Sequence, residues 1–187
     1  MQMHVSGNQL IVTGPLSGFE LIQFGAAITP NVTTVVFVNS SGGDYAAGLN
    51  LAAEIPRRGL STIAKGYCSS SCGKAFLGGV QRYLADSRSY VAFHGHYNEY
   101  GTTLQSRIGE IRTFYDEMTG GKVNDDLVQL WLKKPLRGLV YFLKHQTFSC
   151  NGTEEKRPSG CETLSVSALD MSIITSLDDV EVRIAVD

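Results

Sequence analysis

Two short segments constrain this 187-residue chain more than anything else in it. Gly66-Tyr67-Cys68-Ser69-Ser70-Ser71-Cys72-Gly73 sets small residues and hydroxyls where a strand should give way to a helix. Val91-Ala92-Phe93-His94-Gly95-His96 then places a histidine at the end of a second apolar strand. A serine hydroxyl is a poor nucleophile at neutral pH, and a histidine within hydrogen-bond reach removes that limitation by taking its proton during attack. Together the segments read as a nucleophile and its base, carried on two strand ends. Taken alone, each is more often a Ser-rich turn or a satisfied surface histidine.

A third segment joins them, Val35-Val36-Phe37-Val38-Asn39-Ser40-Ser41-Gly42-Gly43-Asp44-Tyr45-Ala46-Ala47-Gly48. Its β-branched run, Thr33 to Val38, reads as a buried strand, and Gly42-Gly43 lets the backbone turn sharply with its N–H groups exposed. Such amides can form an oxyanion hole. Hydrophobic strand, N-S-x-G-G, helix, strand, G-x-x-x-S and a strand ending in hydrophobic-His follow in fixed order. This order resembles the Clp-type serine peptidases of the ClpP/crotonase superfold, which carry N-S-P-G-G, G-x-A-A-S-M-G and I-H-Q-P at nearly these separations. The resemblance covers about Leu10 to Met118.

The resemblance implies an α/β ββα spiral, here a single domain over 1–187 with a divergent helical and loop-rich last third. It implies Ser70 as nucleophile, His94 rather than His96 as base, and the amides of Gly43 and Ser71 as oxyanion donors, with a peptide or protein as substrate and a homo-oligomer as the assembled form. No metal or cofactor is implied. Ser41 replaces the family proline, and Gly95-His96 replaces its Q-P. The family aspartate, in an R-D-x-F stretch about fifty residues past the histidine, has no counterpart here. Glu162 is the nearest analogue, Asn124, Asp125 and Asp126 compete with it, and a histidine held by a backbone carbonyl is a further option. The third member of the triad is left unassigned. Lys74, one helical turn after Ser70, raises the separate option of a Ser-Lys dyad, which would need the lysine desolvated.

Composition narrows the partners. A net charge of −2 without a basic cluster argues against nucleic acid, since phosphate binding needs concentrated Lys and Arg. No apolar run approaches the roughly 18–20 residues of a membrane helix. The chain starts without a signal-peptide pattern. Its cysteines nevertheless favour export, to the periplasm or a similar compartment, with the leader absent from this chain, over a cytoplasmic setting. Of the three possible pairings, Cys68 with Cys72 and Cys150 with Cys161 close the shortest loops. A Cys₄ zinc site and four reduced thiols are the alternatives.

Along the chain, strands are expected at Gln9–Thr13, Thr62–Ala64, Tyr83–Leu84, Tyr90–Phe93 and Val180–Val186, and helices over Ser17–Ile28, after Gly43, over Thr103–Met118 and from Val123 to Lys133. Leu139–Leu143 fits either state. Helical crossovers between strands imply a largely parallel sheet buried on both faces. Trp131 reads as a core residue.

Two other functions share these motifs. One is a crotonase-type acyl-thioester enzyme, in which the amide pair would hold an enolate, and the other is a catalytically silent scaffold. The export reading has a direct check. Mass spectrometry of unreduced digests should show the Cys150 and Cys161 peptides linked, and four free thiols after preparation under oxidising conditions would defeat it.

Overall fold

The computed structural model describes residues 1–95, 108–123, 125–132, 139–151 and 161–183. It opens on a hairpin, β1 (Gln2–Ser6) and β2 (Gln9–Thr13), whose tight turn places Gly7 at a φ of 61°. Then follow α1 (Glu20–Ala27), β3 (Thr34–Ser40), α2 (Tyr45–Arg57), β4 (Ser61–Ser69), α3 (Ser71–Leu77), β5 (Arg82–Leu84), β6 (Tyr90–Phe93), α4 (Ile108–Thr119), α5 (Asp125–Leu132), β7 (Leu139–Phe142), β8 (Thr147–Cys150) and β9 (Glu162–Leu164). The strands form one sheet in the order β1-β2-β3-β4-β6-β7-β8-β9, with β5 added beside β4. β2, β3, β4 and β6 run parallel, so the three strands that carry the motifs are neighbours as expected.

The central strands are apolar on both faces because both faces are covered. Leu10, Val12, Val35, Phe37 and Ala64 pack with Leu51 and Ile55 of α2 and Phe76 of α3. Ile11, Val36, Val38 and Ile63 face the other way, where Ala85, Val180 and Val182 cover them. Asp44 starts α2 by accepting the Ala47 N–H at 2.7 Å.

β4 changes partner midway. Its Thr62–Ala64 stretch pairs with β5 and its Tyr67–Ser69 stretch with β6. The change falls at Gly66, φ 70°, opposite a register shift in β3 centred on Asn39, φ 48°. The Asn39 side chain occupies the space a Cβ at position 66 would need. One residue from each of two sequence motifs thus shapes the bend that leads to Ser70.

Several expectations need correcting. The sheet is mixed rather than largely parallel, since β1, β7, β8 and β9 join it antiparallel. α1 is shorter than Ser17–Ile28, because the Glu20 carboxylate accepts the N–H groups of Ser17 and Gly18 and holds them in a turn. Of its apolar residues only Phe24 is buried, while Phe19 and Ile22 are 69% and 78% exposed. Leu139–Phe142 is a strand, and β8 and β9 extend it into an antiparallel meander where loops were expected. The described part of Val180–Val186 is not a strand. It is held instead by the Gln9 side chain, which donates to the Glu181 carbonyl at 2.8 Å and accepts the Arg183 N–H at 2.9 Å. The expected helices at 103–118 and 123–133 are described as α4 and α5, and residues 103–107, 124 and 133 lie outside the described residues, as does the Trp131 side chain.

Arg82 ties the last segment to the sheet. Its buried guanidinium donates to the carbonyls of Leu77, Gly79, Ser172 and Ile173 at 2.7–3.2 Å. Burial alone pushes its pKa down, so the four carbonyls are what keep the charge tolerable. Arg82→Met strands those acceptors and should lower unfolding stability by about 3 kcal/mol, read as a shift in the urea midpoint.

Candidate active site

Ser70 links β4 to α3 with no intervening residue. The ladder holds the chain extended through Ser69, and α3 starts at Ser71, so Ser70 absorbs the whole reversal at φ 58°, ψ −124°. For a residue with a Cβ this is a strained conformation, costing about 1–3 kcal/mol, and such strain persists only where the surroundings impose it. Here the Ser70 N–H donates to the Ala92 carbonyl at 2.9 Å, and its carbonyl accepts the Lys74 N–H at 3.3 Å. A disulfide joins Cys68 to Cys72 across the turn, with both residues fully buried. Gly73, in the first turn of α3, lets the helix sit on β6, since a Cβ there would meet Phe93 and Val91 at 2.8 and 3.2 Å.

The glycine loop approaches this turn from β3. A Cβ on Gly42 would lie 2.5 Å from the Ser69 carbonyl oxygen, 2.8 Å from the Ser71 nitrogen and 2.9 Å from the Ser70 Cβ. Gly43, φ 137°, forms an isolated parallel bridge with Leu16. The bridge uses the Gly42 carbonyl and the Asp44 N–H, at 2.8 and 3.0 Å. The N–H of Gly43 therefore points away from Leu16, and the residue is exposed. Ser71 contributes the first N–H of α3, one of the donors a helix leaves without an internal partner. Its hydroxyl is buried on the α2 side, beside Gly48, and has no hydrogen-bond partner among the described residues.

His94 follows β6 directly and is half-buried. Its Nδ1 meets the Gly95 carbonyl. A carbonyl only accepts, so this contact places the proton on Nδ1 and leaves the basic lone pair on Nε2. Burial pushes its pKa below the ordinary histidine value, the Gly95 bond partly opposes that, and the Lys74 charge adds to the lowering.

None of the described carboxylates proposed for the third position sits beside it. Glu162 is exposed on β9, three strands from β6, which is roughly 14 Å at ordinary strand spacing. Asp125 is exposed and pairs with Arg112 at 3.5 Å, and Asp126 is exposed. Asn124 and His96 lie outside the described residues. Cys150 and Cys161 form the second disulfide, joining the end of β8 to the approach to β9. Two disulfides point to an oxidising, non-cytoplasmic location, and no helix among the described residues is long and apolar enough to cross a membrane.

No protein-family model matches the sequence, and no curated protein matches it by sequence. Solved structures do match. A mutant of ClpP1 from Listeria monocytogenes superposes with a TM-score of 0.54 at 15% identity, over 90% of this chain and 89% of that one. A mutant of the 1510-N membrane-bound stomatin-specific protease gives 0.51 at 13%, over 69% and 72%. The chain has the Clp-type peptidase fold. Within that fold the β4–α3 turn, the glycine loop and the end of β6 converge, as open α/β sheets gather their sites at strand C-termini.

Sequence reasoning did not anticipate how tightly Gly42 packs, although the paired glycines marked the loop. Gly42→Ala forces a Cβ between two backbone segments that flank Ser70. It should cost roughly 2 kcal/mol of stability and reduce Ser70 reactivity further than that loss explains. Gly59→Ala, at φ 65° but with open space around it, should cost stability alone. Urea unfolding and labelling of Ser70 by an acyl-serine probe separate the two effects.

Proposed function

We propose that this chain is a serine peptidase, acting as a single domain, in which Ser70 attacks the peptide carbonyl and His94 serves as general base and then general acid. The observation that carries this reading is the strained strand-to-helix turn at Ser70, held by Ala92, Gly42 and the Cys68–Cys72 bridge. Such a turn lifts a hydroxyl clear of a sheet edge. The proton of Ser70 Oγ passes to Nε2 of His94 as the Oγ–C bond forms, and the N–H groups of Gly43 and Ser71 hold the oxyanion. Collapse breaks the C–N bond, and His94 returns the proton to the leaving amine. Water, deprotonated by His94, then hydrolyses the ester and restores Ser70.

Two features support the assignment of the oxyanion donors. Ser71 opens α3, whose N-terminal dipole favours negative charge, and the Gly43 N–H is turned away from the Leu16 bridge. The Gly95 carbonyl fixes the His94 tautomer. The same reading places the chain in the periplasm or a similar exported setting, as a homo-oligomer whose mass light scattering would report.

Ser70→Ala and His94→Ala should each lower peptide turnover by roughly 10⁴-fold, whereas Ser69→Ala should leave it within a few-fold. A fluorophosphonate probe should label Ser70 in the native protein and fail to label it in His94→Ala. A folded protein that never reacts would favour the silent scaffold. Because burial lowers the His94 pKa, its basic form persists to lower pH, so the acid limb of kcat/KM should have its midpoint below 6.5. A midpoint above that value would contradict the buried imidazole. Reducing Cys68–Cys72 frees the turn, and activity should fall while the far-UV spectrum is kept.

A further inference from the structure

Lys74 is the residue in this site whose environment is hardest to explain as packing. It is 3% exposed, and among the described residues no carboxylate pairs with it. A buried lysine without an anion is costly, and such groups concentrate where chemistry needs them. It lies in the first turn of α3, four residues after Ser70, where helical side chains lean back toward the helix N-terminus. Its ammonium lies 5.4 Å from the centroid of the Tyr45 ring at the start of α2. Gly73, its neighbour, brings α3 onto Phe93, the residue before His94.

We propose that Lys74 is a positioning residue of the peptidase site, a second buried base that acts on Ser70 through His94. This rests on the Ser70–His94 reading for its catalytic consequence, but not for its physical one. The ionisable groups gathered here from the described elements are Lys74 from α3, Tyr45 from α2, and Tyr115 and Glu110 from α4. Glu110 is exposed and accepts the Tyr45 hydroxyl at 3.1 Å. Tyr115 is buried and stays protonated, its pKa raised first by burial and then by Tyr45. Neither supplies His94 with a neighbouring anion.

The consequence follows from charge. A cationic Lys74 keeps His94 neutral and ready to accept a proton, yet opposes the imidazolium that forms when it does. A neutral Lys74 lifts that opposition. Burial brings the lysine down to about 7, so the switch between the two states falls within the working pH range. A carboxylate in the third position would act in the opposite sense, raising the histidine pKa and favouring imidazolium at every pH above its own titration. Losing a proton from Lys74 moves His94 in that same sense.

The test reads His94 directly, in the full chain, by NMR of isotopically labelled histidine with His94→Gln as the assignment control. In the native protein the His94 signal should show, beside its own titration, a second inflection near pH 7 from Lys74. Lys74→Met keeps the buried methylenes and removes the amine. It should abolish that inflection and raise the His94 midpoint, with the acid limb of kcat/KM moving up in parallel. A His94 titration unchanged by Lys74→Met, or a native profile without the second inflection, overturns the proposal; the native profile decides it even where the variant does not fold. Failure of the peptidase reading looks different: the His94 signals would behave as described while no peptide is cleaved and no probe attaches to Ser70.

Discussion

The hydrogen bond from Ser70 N–H to the Ala92 carbonyl is the constraint on which the site depends. It extends the β4–β6 ladder one residue beyond Ser69, so the chain is still held by its neighbour strand at the point where α3 must begin. A turn with two or three free residues would spread the reversal over several ordinary conformations. With none free, the reversal falls on Ser70 alone. Gly42 closes the remaining side, because its missing Cβ is the space that the Ser69 carbonyl and Ser71 nitrogen occupy. The bend of β4 at Gly66 makes this convergence possible. Without it β4 would continue along β5, and β6 would lie too far away to receive Ser70.

The electrostatics follow from the same convergence. Three sources of positive potential meet at one end of the sheet: the N-terminus of α3, the buried Lys74 amine and the donors of the glycine loop. In the proposed reaction a developing oxyanion is favoured by the amides at all times and by Lys74 only while its amine is charged. An imidazolium is disfavoured there, first by burial and then by the Lys74 charge, and both lower the His94 pKa. In the proposed mechanism this arrangement serves the anion more than the base.

The parts legible in the sequence were those with local causes. Gly42-Gly43 and Gly66 mark positions where only a residue without Cβ fits, the apolar runs at Val35–Val38 and Val91–Phe93 mark strands buried on both faces, and the cysteine pairs close short loops. What the sequence hid depends on partners. β8, Thr-Phe-Ser-Cys, has too little apolar alternation to read as a strand and becomes one by pairing with β7. α1 shows an apolar pattern, yet only one apolar side chain in it is buried, since periodicity says which residues share a face and not whether anything covers it. Position alone raised the option of a desolvated Lys74, and its burial comes from Tyr45 and β6 packing against α3.

The segment after β9 is fastened to the Clp-like core by polar side chains more than by its own secondary structure. The Lys144 ammonium, buried just after β7, donates to the carbonyls of Leu177 and Asp178 at 3.0 and 2.9 Å and pairs with the exposed Asp179 carboxylate. Arg82 and Gln9 grip the same stretch from β5 and β2. Each grip satisfies backbone carbonyls that have no strand to pair with, which is why residues 176–183 can cross the sheet without forming a strand of their own. In doing so Val180 and Val182 cover the face of Ile11, Val36, Val38 and Ile63 opposite the helices. The parallel strands stay dry on both sides at little cost in secondary structure, and β3 and β4 gain the rigidity their C-terminal ends need to hold Gly42 against Ser70.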